Sequence, residues 1–354
     1  MYRSLTVPVV LLALGCNPEA RGNSSDTARP AAGPVSTTDS ARTGLVSNSA
    51  GNPDRVPNEL GRIMVVEYHL IGDRNTTYSR DRASFRKDLE LLHERGYRPV
   101  NMAQVLDRKL DLPRGLSPVV FTFDDASPGQ FSYIEKDGKL EIDPRSGLGI
   151  WLDFRKTHPD WENKAVFCLL SGAASGHNFF GDKNIQGQKT EWRFPKVKWL
   201  ADNGFELCNH TVWHAQLSKY PDVFVQEQIA RLAMSVDSAV PGYKIRSMAL
   251  PQGLWPKNRA LASKGSWTDP RSKRTISYNY EAVFEVAGGP SRSPYDPAYN
   301  PLSTNRIQVI GDAIELTIDR LEKSGNAYIS DGNPATIARP AVAAPASTTS
   351  PPKR

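Results

Sequence analysis

Val119-Val120-Phe121-Thr122-Phe123-Asp124-Asp125-Ala126 is the stretch on which the reading of this chain turns. Five apolar or β-branched residues run without polar alternation, as in a strand buried on both faces of a parallel sheet. The run ends in two adjacent carboxylates. Both ionised at such short range would repel, so each needs a separate role or a cation. Taken alone, an Asp pair after a strand serves equally well as a turn or a helix cap.

Working outward, similar short apolar runs lie at Ile63–Tyr68, Ala165–Leu170, Phe205–Asn209, Ser247–Leu250 and Ala282–Val286. Helical stripes separate them. Phe85, Leu89 and Leu92 recur at i, i+4, i+7 before Gly96, and Asn101 with Gln104 has the spacing of a capping box. Pro195 suits a first turn, with Val197 and Leu200 on one face. Val225, Ile229, Leu232 and Val236 form a stripe that Pro241-Gly242 stops, and Ile314, Ile318 and Leu321 precede Gly325. Every stripe reads as core packing. Strands alternating with helices predict a parallel α/β architecture, and the span 60–337 has the size of one β/α barrel domain. Residues 126–164 and 256–280 break the alternation and are expected to be long insertions on the loop face.

Two further constellations follow strand ends. Asn209-His210-Thr211-Val212-Trp213-His214 places two imidazoles with three residues between them, which on a helical turn would share one face and grip a divalent metal. The chain has only six His, which weighs against two unrelated surface residues. Ala249-Leu250-Pro251-Gln252-Gly253 leads a short strand into a turn whose Gly lets the backbone approach a ligand. All three constellations fall at the C-terminal ends of expected strands, the face on which β/α barrels carry their active sites. No Gly-x-Ser-x-Gly elbow and no Gly-rich phosphate loop is present in the sequence.

Thr122-Phe123-Asp124-Asp125-Ala126 resembles the TFDDG motif of the polysaccharide deacetylases (NodB-like, carbohydrate esterase family 4 type), with Ala for Gly. His210-Thr211-Val212-Trp213-His214 matches their H-[ST]-x-x-H motif, and Ala249–Gly253 is similar to their third motif. Glu67-Tyr68-His69-Leu70-Ile71 is similar to members with an extended N-terminal strand. The resemblance implies a distorted (β/α)7 barrel as a single catalytic domain. It implies Asp125, His210 and His214 as ligands of a divalent metal, Zn²⁺ by default, and Asp124 as general base. It also implies a backbone oxyanion donor at Gln252 and substrate contacts from His69, Pro251, Gly253 and Trp213.

The family's C-terminal Leu-x-His acid is missing, because no His follows His214. Asp331, in Ala327-Tyr328-Ile329-Ser330-Asp331-Gly332, is expected in its place, or Asp124 returns its own proton, with His69 and His177 as further candidates. The Arg that steadies the base in many members is replaced by Ala249, which leaves Arg246 or Arg306 to reach in from elsewhere.

Composition bounds the setting. The chain has 354 residues, 39% hydrophobic and 23% charged, which are globular values. Its net charge is +6, with no basic stripe interleaved with aromatics, so nucleic acid is not expected as a partner. Leu5–Leu14 is too short to span a bilayer and reads as the core of an export signal. Ala13-Leu14-Gly15-Cys16 resembles a lipobox, so residues 1–16 are expected to be a lipoprotein signal with Cys16 lipidated. The protein is then a membrane-anchored lipoprotein facing the periplasm or exterior; ordinary signal cleavage would instead leave it soluble. Residues 17–59 read as a disordered linker and 338–354 as a disordered tail. Cys168 and Cys208 fit either a disulfide or buried thiols.

The expected function is metal-dependent hydrolysis of N- or O-acetyl groups on an envelope or extracellular polysaccharide. A catalytically weak glycan-binding protein on the same barrel, and an amidase or deformylase acting on a small C–N substrate, are the alternatives.

Overall fold

The computed structural model describes residues 52–173 and 177–339. The expected export signal, Cys16 and most of the linker lie outside them. Eight parallel strands form one sheet: β1 (Met64–Tyr68), β2 (Tyr97–Pro99), β3 (Ser117–Phe123), β4 (Val166–Leu169), β5 (Glu206–Asn209), β6 (Ser247–Ala249), β7 (Ala282–Gly288) and β8 (Thr304–Gln308). Seven of them close into a ring in the order β1–β8–β7–β6–β5–β4–β3, and β1 pairs back onto β3 from Met64↔Val119 to Tyr68↔Phe123. β2 lies outside the ring and pairs only with the start of β3, Tyr97↔Ser117 to Pro99↔Val119. The fold is the expected distorted (β/α)7 barrel.

The period-2 alternation of each strand splits the core in two. Val65, Val120, Val166, Cys168, Cys208, Ala249 and Phe284 share an apolar cluster inside the ring. Tyr328 belongs to that cluster and lies at the N-terminal end of the barrel, where Ser117 Oγ donates to its carbonyl. Met64, Val66, Phe121, Phe123, Phe167 and Leu207 face outward against the helices. Those helices are α1 (Arg82–Glu94), α2 (Met102–Leu106), α3 (Gly147–Thr157), α4 (Arg193–Asp202), α5 (Asp222–Ala239) and α6 (Ala313–Lys323). The Asn101–Gln104 capping box forms as expected. No helix of the described residues is long and apolar enough to cross a membrane.

Three sequence expectations need correction, and one open alternative is decided. Residues 126–164 are not simply a loop-face insertion. They hold a hairpin (Tyr133–Lys136, Lys139–Ile142) and then α3, whose Trp151 and Phe154 are buried in the outer core. Gly147 and Gly149 hid that helix, yet a Cβ on Gly149 would lie 2.2 Å from the Asp143 carbonyl oxygen, so close packing demands glycine there. Residues 256–280 form a second hairpin, Lys264–Thr268 with Thr275–Asn279, which packs on α5 at the barrel's flank rather than on the loop face.

The packed body also exceeds the expected 60–337 boundary. Asn58 and Glu59 are buried, Asn58 N donates to Ile329 O at 2.8 Å, Glu59 N donates to Ala338 O, and Ala338 N donates back to the Glu59 carboxylate. Composition placed them in the linker because polar residues there are satisfied by partners far along the chain. Finally, Cys168 and Cys208 are free and buried, facing each other in register on β4 and β5.

Candidate active site

The three constellations converge as the barrel predicts. Asp124 and Asp125 follow β3, His210 and His214 follow β5, Gln252 follows β6, and His69 follows β1. With Glu67, Tyr78, His177 and Gln308 they line one cavity of about 590 Å³.

The backbone around it is strained. Asp125, Ala126, Thr211, His214 and Gln252 are non-glycine residues with φ between 49° and 77°. Such conformations cost energy and cluster where a site over-determines its geometry. Ala126, at φ 49°, stands where the resembling motif has Gly, and the left-handed conformation is the physical reason for that Gly.

His210 and His214 do not share a helical face, contrary to expectation. The segment turns sharply instead, because Asn209 Oδ1 accepts from Thr211 N at 2.8 Å and Thr211 Oγ1 accepts from His214 N at 3.1 Å. Side chains that bond the backbone locally displace the helix. Asn209 is fixed in turn by donating to Ile229 O and Tyr280 OH.

The turn brings His210 Nε2 to 3.4 Å and His214 Nε2 to 3.6 Å from Asp125 Oδ1. His210 Nδ1 lies 2.9 Å from Ala249 O and donates to it, which leaves the Nε2 lone pair aimed at the cluster. That Nε2 is buried with no hydrogen-bond partner among the described residues. Two imidazole nitrogens and a carboxylate oxygen, all within 4.8 Å of one another, fit a divalent cation of the zinc type. His214 is the least protonated of the set, since burial and the neighbouring His210 bring it down to about 4.

Asp124 lies beside this cluster, buried in the cavity floor, with Oδ2 3.9 Å from His210 Nε2. Arg306 of β8 binds it in fork geometry, Nη1 to Oδ1 at 2.8 Å and Nη2 to Oδ2 at 2.9 Å. Burial alone would raise the Asp124 carboxyl. The Arg306 charge and its two hydrogen bonds, helped by His210, overcome this and hold it well below the usual carboxylate range. The same guanidinium lies 2.9 Å from Glu67 Oε1, but off its N–H directions, so the Glu67 carboxyl accepts no hydrogen bond from it. Burial pushes Glu67 up to about 8, against the pull of Arg306. One guanidinium thus keeps Asp124 ionised while Glu67 stays protonated near neutrality. A second acidic cluster, Glu67–His69–Asp124, is occupied by this guanidinium and does not offer an open cation site.

Some expected residues are placed otherwise. Asp331 is not at the site. Ser330 N donates to Leu116 O and Gly115 N to Ser330 O, which fixes Asp331 beside the start of β3. The seven residues of β3 put about 20 Å between that end and Asp124. Its carboxylate is spent on Thr336 and the Asn333 backbone. Arg246 also stays at the base, paired with Asp107 and Glu281. Pro251 and Gly253 shape the turn beneath Gln252, where a Cβ on Gly253 would meet Val286 at 2.5 Å. Trp213 stands outside the cavity, on its rim. His69 does enter the cavity, with Nε2 3.5 Å from Glu67 Oε1, and His177 accompanies it, with Nδ1 3.2 Å from Asp125 O.

Gln130, which went unnoticed in the sequence, donates from Nε2 to the carbonyls of both His69 and Asp124 and ties the two strand ends together. The loop that follows β4 is held from α4. Phe180 N donates to Ala126 O, and the buried Lys196 Nζ donates to Phe180 O at 2.6 Å and Gln188 Oε1 at 2.7 Å.

Burial brings the Lys196 ammonium down to about 7, against an unfolded value of about 10.4. Between those values the unfolded chain binds the extra proton, so this residue's contribution to stability rises with pH. Relative to Lys196→Met, the wild type is expected to gain stability from about pH 7 to about pH 10 in urea unfolding. A pH-independent difference would show that Lys196 keeps its charge in the fold.

The fold and the cluster define a β/α barrel with an Asp–His–His centre at its strand ends. Residues 157–266 match the family model described as polysaccharide deacetylase. Among solved structures, a deacetylase from Streptococcus pyogenes, PplD, in complex with acetate, is similar at 15% identity and TM-score 0.51, over 74% of this chain and 97% of that one. A polysaccharide deacetylase from Bacillus cereus is similar at 14% identity and TM-score 0.50, over 73% of this chain and 69% of that one. No curated protein sequence matches the chain. The match to the family model covers this part of the chain, and the two solved structures share its fold. The matched segment contains His210 and His214 and begins after Asp124 and Asp125, which the barrel brings beside them.

Proposed function

We propose that this protein is a metal-dependent deacetylase that removes N- or O-acetyl groups from a cell-envelope or extracellular polysaccharide. The observation that carries the reading is the Asp125–His210–His214 cluster with the orphaned, tautomer-fixed His210 Nε2, set directly over the Arg306-clamped Asp124.

A divalent ion, Zn²⁺ by donor chemistry, would be held by Asp125, His210 and His214, and when bound it supplies Lewis-acid activation of water and of the acetyl carbonyl. Asp124, ionised by Arg306, accepts the proton of the attacking water. The Gln252 N–H, on the cavity wall with its backbone in a left-handed turn, donates to the oxyanion as the carbonyl carbon becomes tetrahedral. His69 takes the place expected for Asp331 and protonates the leaving amine or alcohol. It faces the cavity, and the proton that Asp124 took from the water returns to it to close the cycle. His177, Tyr78 and Leu70 line the remaining wall and position the acetylated ring.

Export and a lipid anchor at Cys16 belong to the same proposal, since a surface tether suits a polymer better than a small amide. Fractionation of cells carrying the full chain tests that part: recovery wholly in the soluble fraction would remove the anchor.

The first experiment is metal stoichiometry after dialysis, beside acetate release from acetylated oligosaccharides and from small amides. About one divalent ion per chain is expected, lost in His214→Ala together with activity on the oligosaccharides. A wild-type chain that retains no ion after zinc is offered would refute the metal centre. Activity on small amides alone would favour the amidase alternative.

A further inference from the structure

Outside the cavity, an aromatic ledge stays uncovered at its rim. Trp213, next to the proposed ligand His214, is 48% exposed. Its ring lies 6.0 Å from that of Phe224, and the Arg231 guanidinium sits over it at 5.8 Å. Arg231 then lines an open cleft of about 480 Å³. That cleft follows α5 from Glu227 to Ser238 and is bounded by Phe194 at the head of α4 and by Trp267 and Arg271 of the flank hairpin. At 1.5 Å per helical residue the lining of α5 extends about 16 Å, room for several sugar rings.

The hairpin stands where a regular barrel would place a helix between β6 and β7. It packs on α5 and forms one wall of the cleft, opposite Phe194.

The lining suits a carbohydrate. Phe194 and Trp267 offer apolar faces for the C–H side of a sugar ring, Arg271 offers a planar fork for paired hydroxyls, and the Arg231–Glu227 pair, joined at 2.9 Å, presents its remaining N–H groups and carboxylate oxygen to others. The carboxylates of Glu227 and Asp269 in the same wall oppose a polyanion such as nucleic acid.

The geometry points to an accessory glycan-binding cleft, formed by Phe194, Arg231, Trp267 and Arg271 and continuous through Trp213 with the catalytic cavity, that holds the polysaccharide chain flanking the acetylated sugar. This rests on the deacetylase reading of the cavity. A chain held at both places reacts at raised local concentration, so the protein prefers long substrates to short ones.

The test compares N-acetylglucosamine dimer and hexamer, by titration calorimetry and by acetate release, in the metal-loaded full chain, Arg271→Ala, Trp267→Ala and Trp267→Tyr. Arg271 lies on the exposed turn, so its variant does not disturb the core. The wild type is expected to bind the hexamer about tenfold more tightly than the dimer, a gap of about 1.4 kcal/mol. Arg271→Ala and Trp267→Ala close most of that gap, and Trp267→Tyr restores part of it. Equal affinity for both lengths in the wild type, or a gap that neither alanine variant moves, overturns the cleft. Tight hexamer binding without acetate release keeps the cleft and refutes the deacetylase reading; acetate release indifferent to length and to both variants does the reverse.

Discussion

Asp124→Asn is expected to leave a folded, metal-binding chain whose acetate release falls by on the order of 10²–10⁴. The substitution is nearly isosteric, and the ligand atoms belong to Asp125, His210 and His214, so metal content is the control that separates lost chemistry from a lost site. What disappears is the ionised oxygen that Arg306 maintains beside the cluster. Unchanged acetate release would remove Asp124 from the reaction.

His69→Gln provides the complementary measurement. An acid matters only where the leaving group is poor. The variant should therefore lose most of its rate on an acetamido sugar and little on an activated aryl acetate, whose phenolate departs without a proton. Equal losses on both substrates would make His69 a binding residue instead.

These two assignments differ in how readable they were. The Asp–His–His set was legible because each member ends an apolar strand, and strand ends of a parallel barrel gather at one face. The acid was misplaced because a residue's position along the sequence does not say at which end of the barrel it emerges. Asp331 follows the last helix and pairs with the start of β3, at the base. β8 escaped detection for a related reason. Thr304-Asn305-Arg306-Ile307-Gln308 lacks an apolar run, since its inward positions carry Arg306 to the base and Gln308 to the cavity wall. Hydrophobic patterning fails where the barrel interior turns functional, which is where local rules are expected to break. The turn at His210–His214 was misread as helical because the side chains of Asn209 and Thr211 override the spacing. The helix α3 was obscured by glycines that its packing requires.

Arg306→Met should be the most damaging single substitution for fold and chemistry together. Arg306 is fully buried, and four contacts depend on it: the fork to Asp124, the approach to the Glu67 carboxyl, the Thr122 hydroxyl at 3.1 Å, and the Glu285 carbonyl, which accepts from Nε at 2.6 Å. Methionine fills much of the volume but leaves an Asp124 carboxyl that has lost its counter-charge in a buried site. Removing one partner of a buried pair costs about 3–5 kcal/mol, a substantial part of the stability of an ordinary domain. Activity should fall at least as far as in Asp124→Asn, because burial then favours the protonated, non-basic carboxyl.

Arg306→Lys should recover little of either, since a single ammonium cannot reproduce the two parallel bonds of the guanidinium. The double variant Arg306→Met with Asp124→Asn separates the two costs. It removes the stranded charge along with its partner, so denaturant unfolding should show it more stable than Arg306→Met alone while remaining inactive. If the two substitutions instead destabilise additively, Arg306 contributes by packing against Phe284 and the barrel wall rather than by clamping the base, and the electrostatic account of Asp124 fails with it.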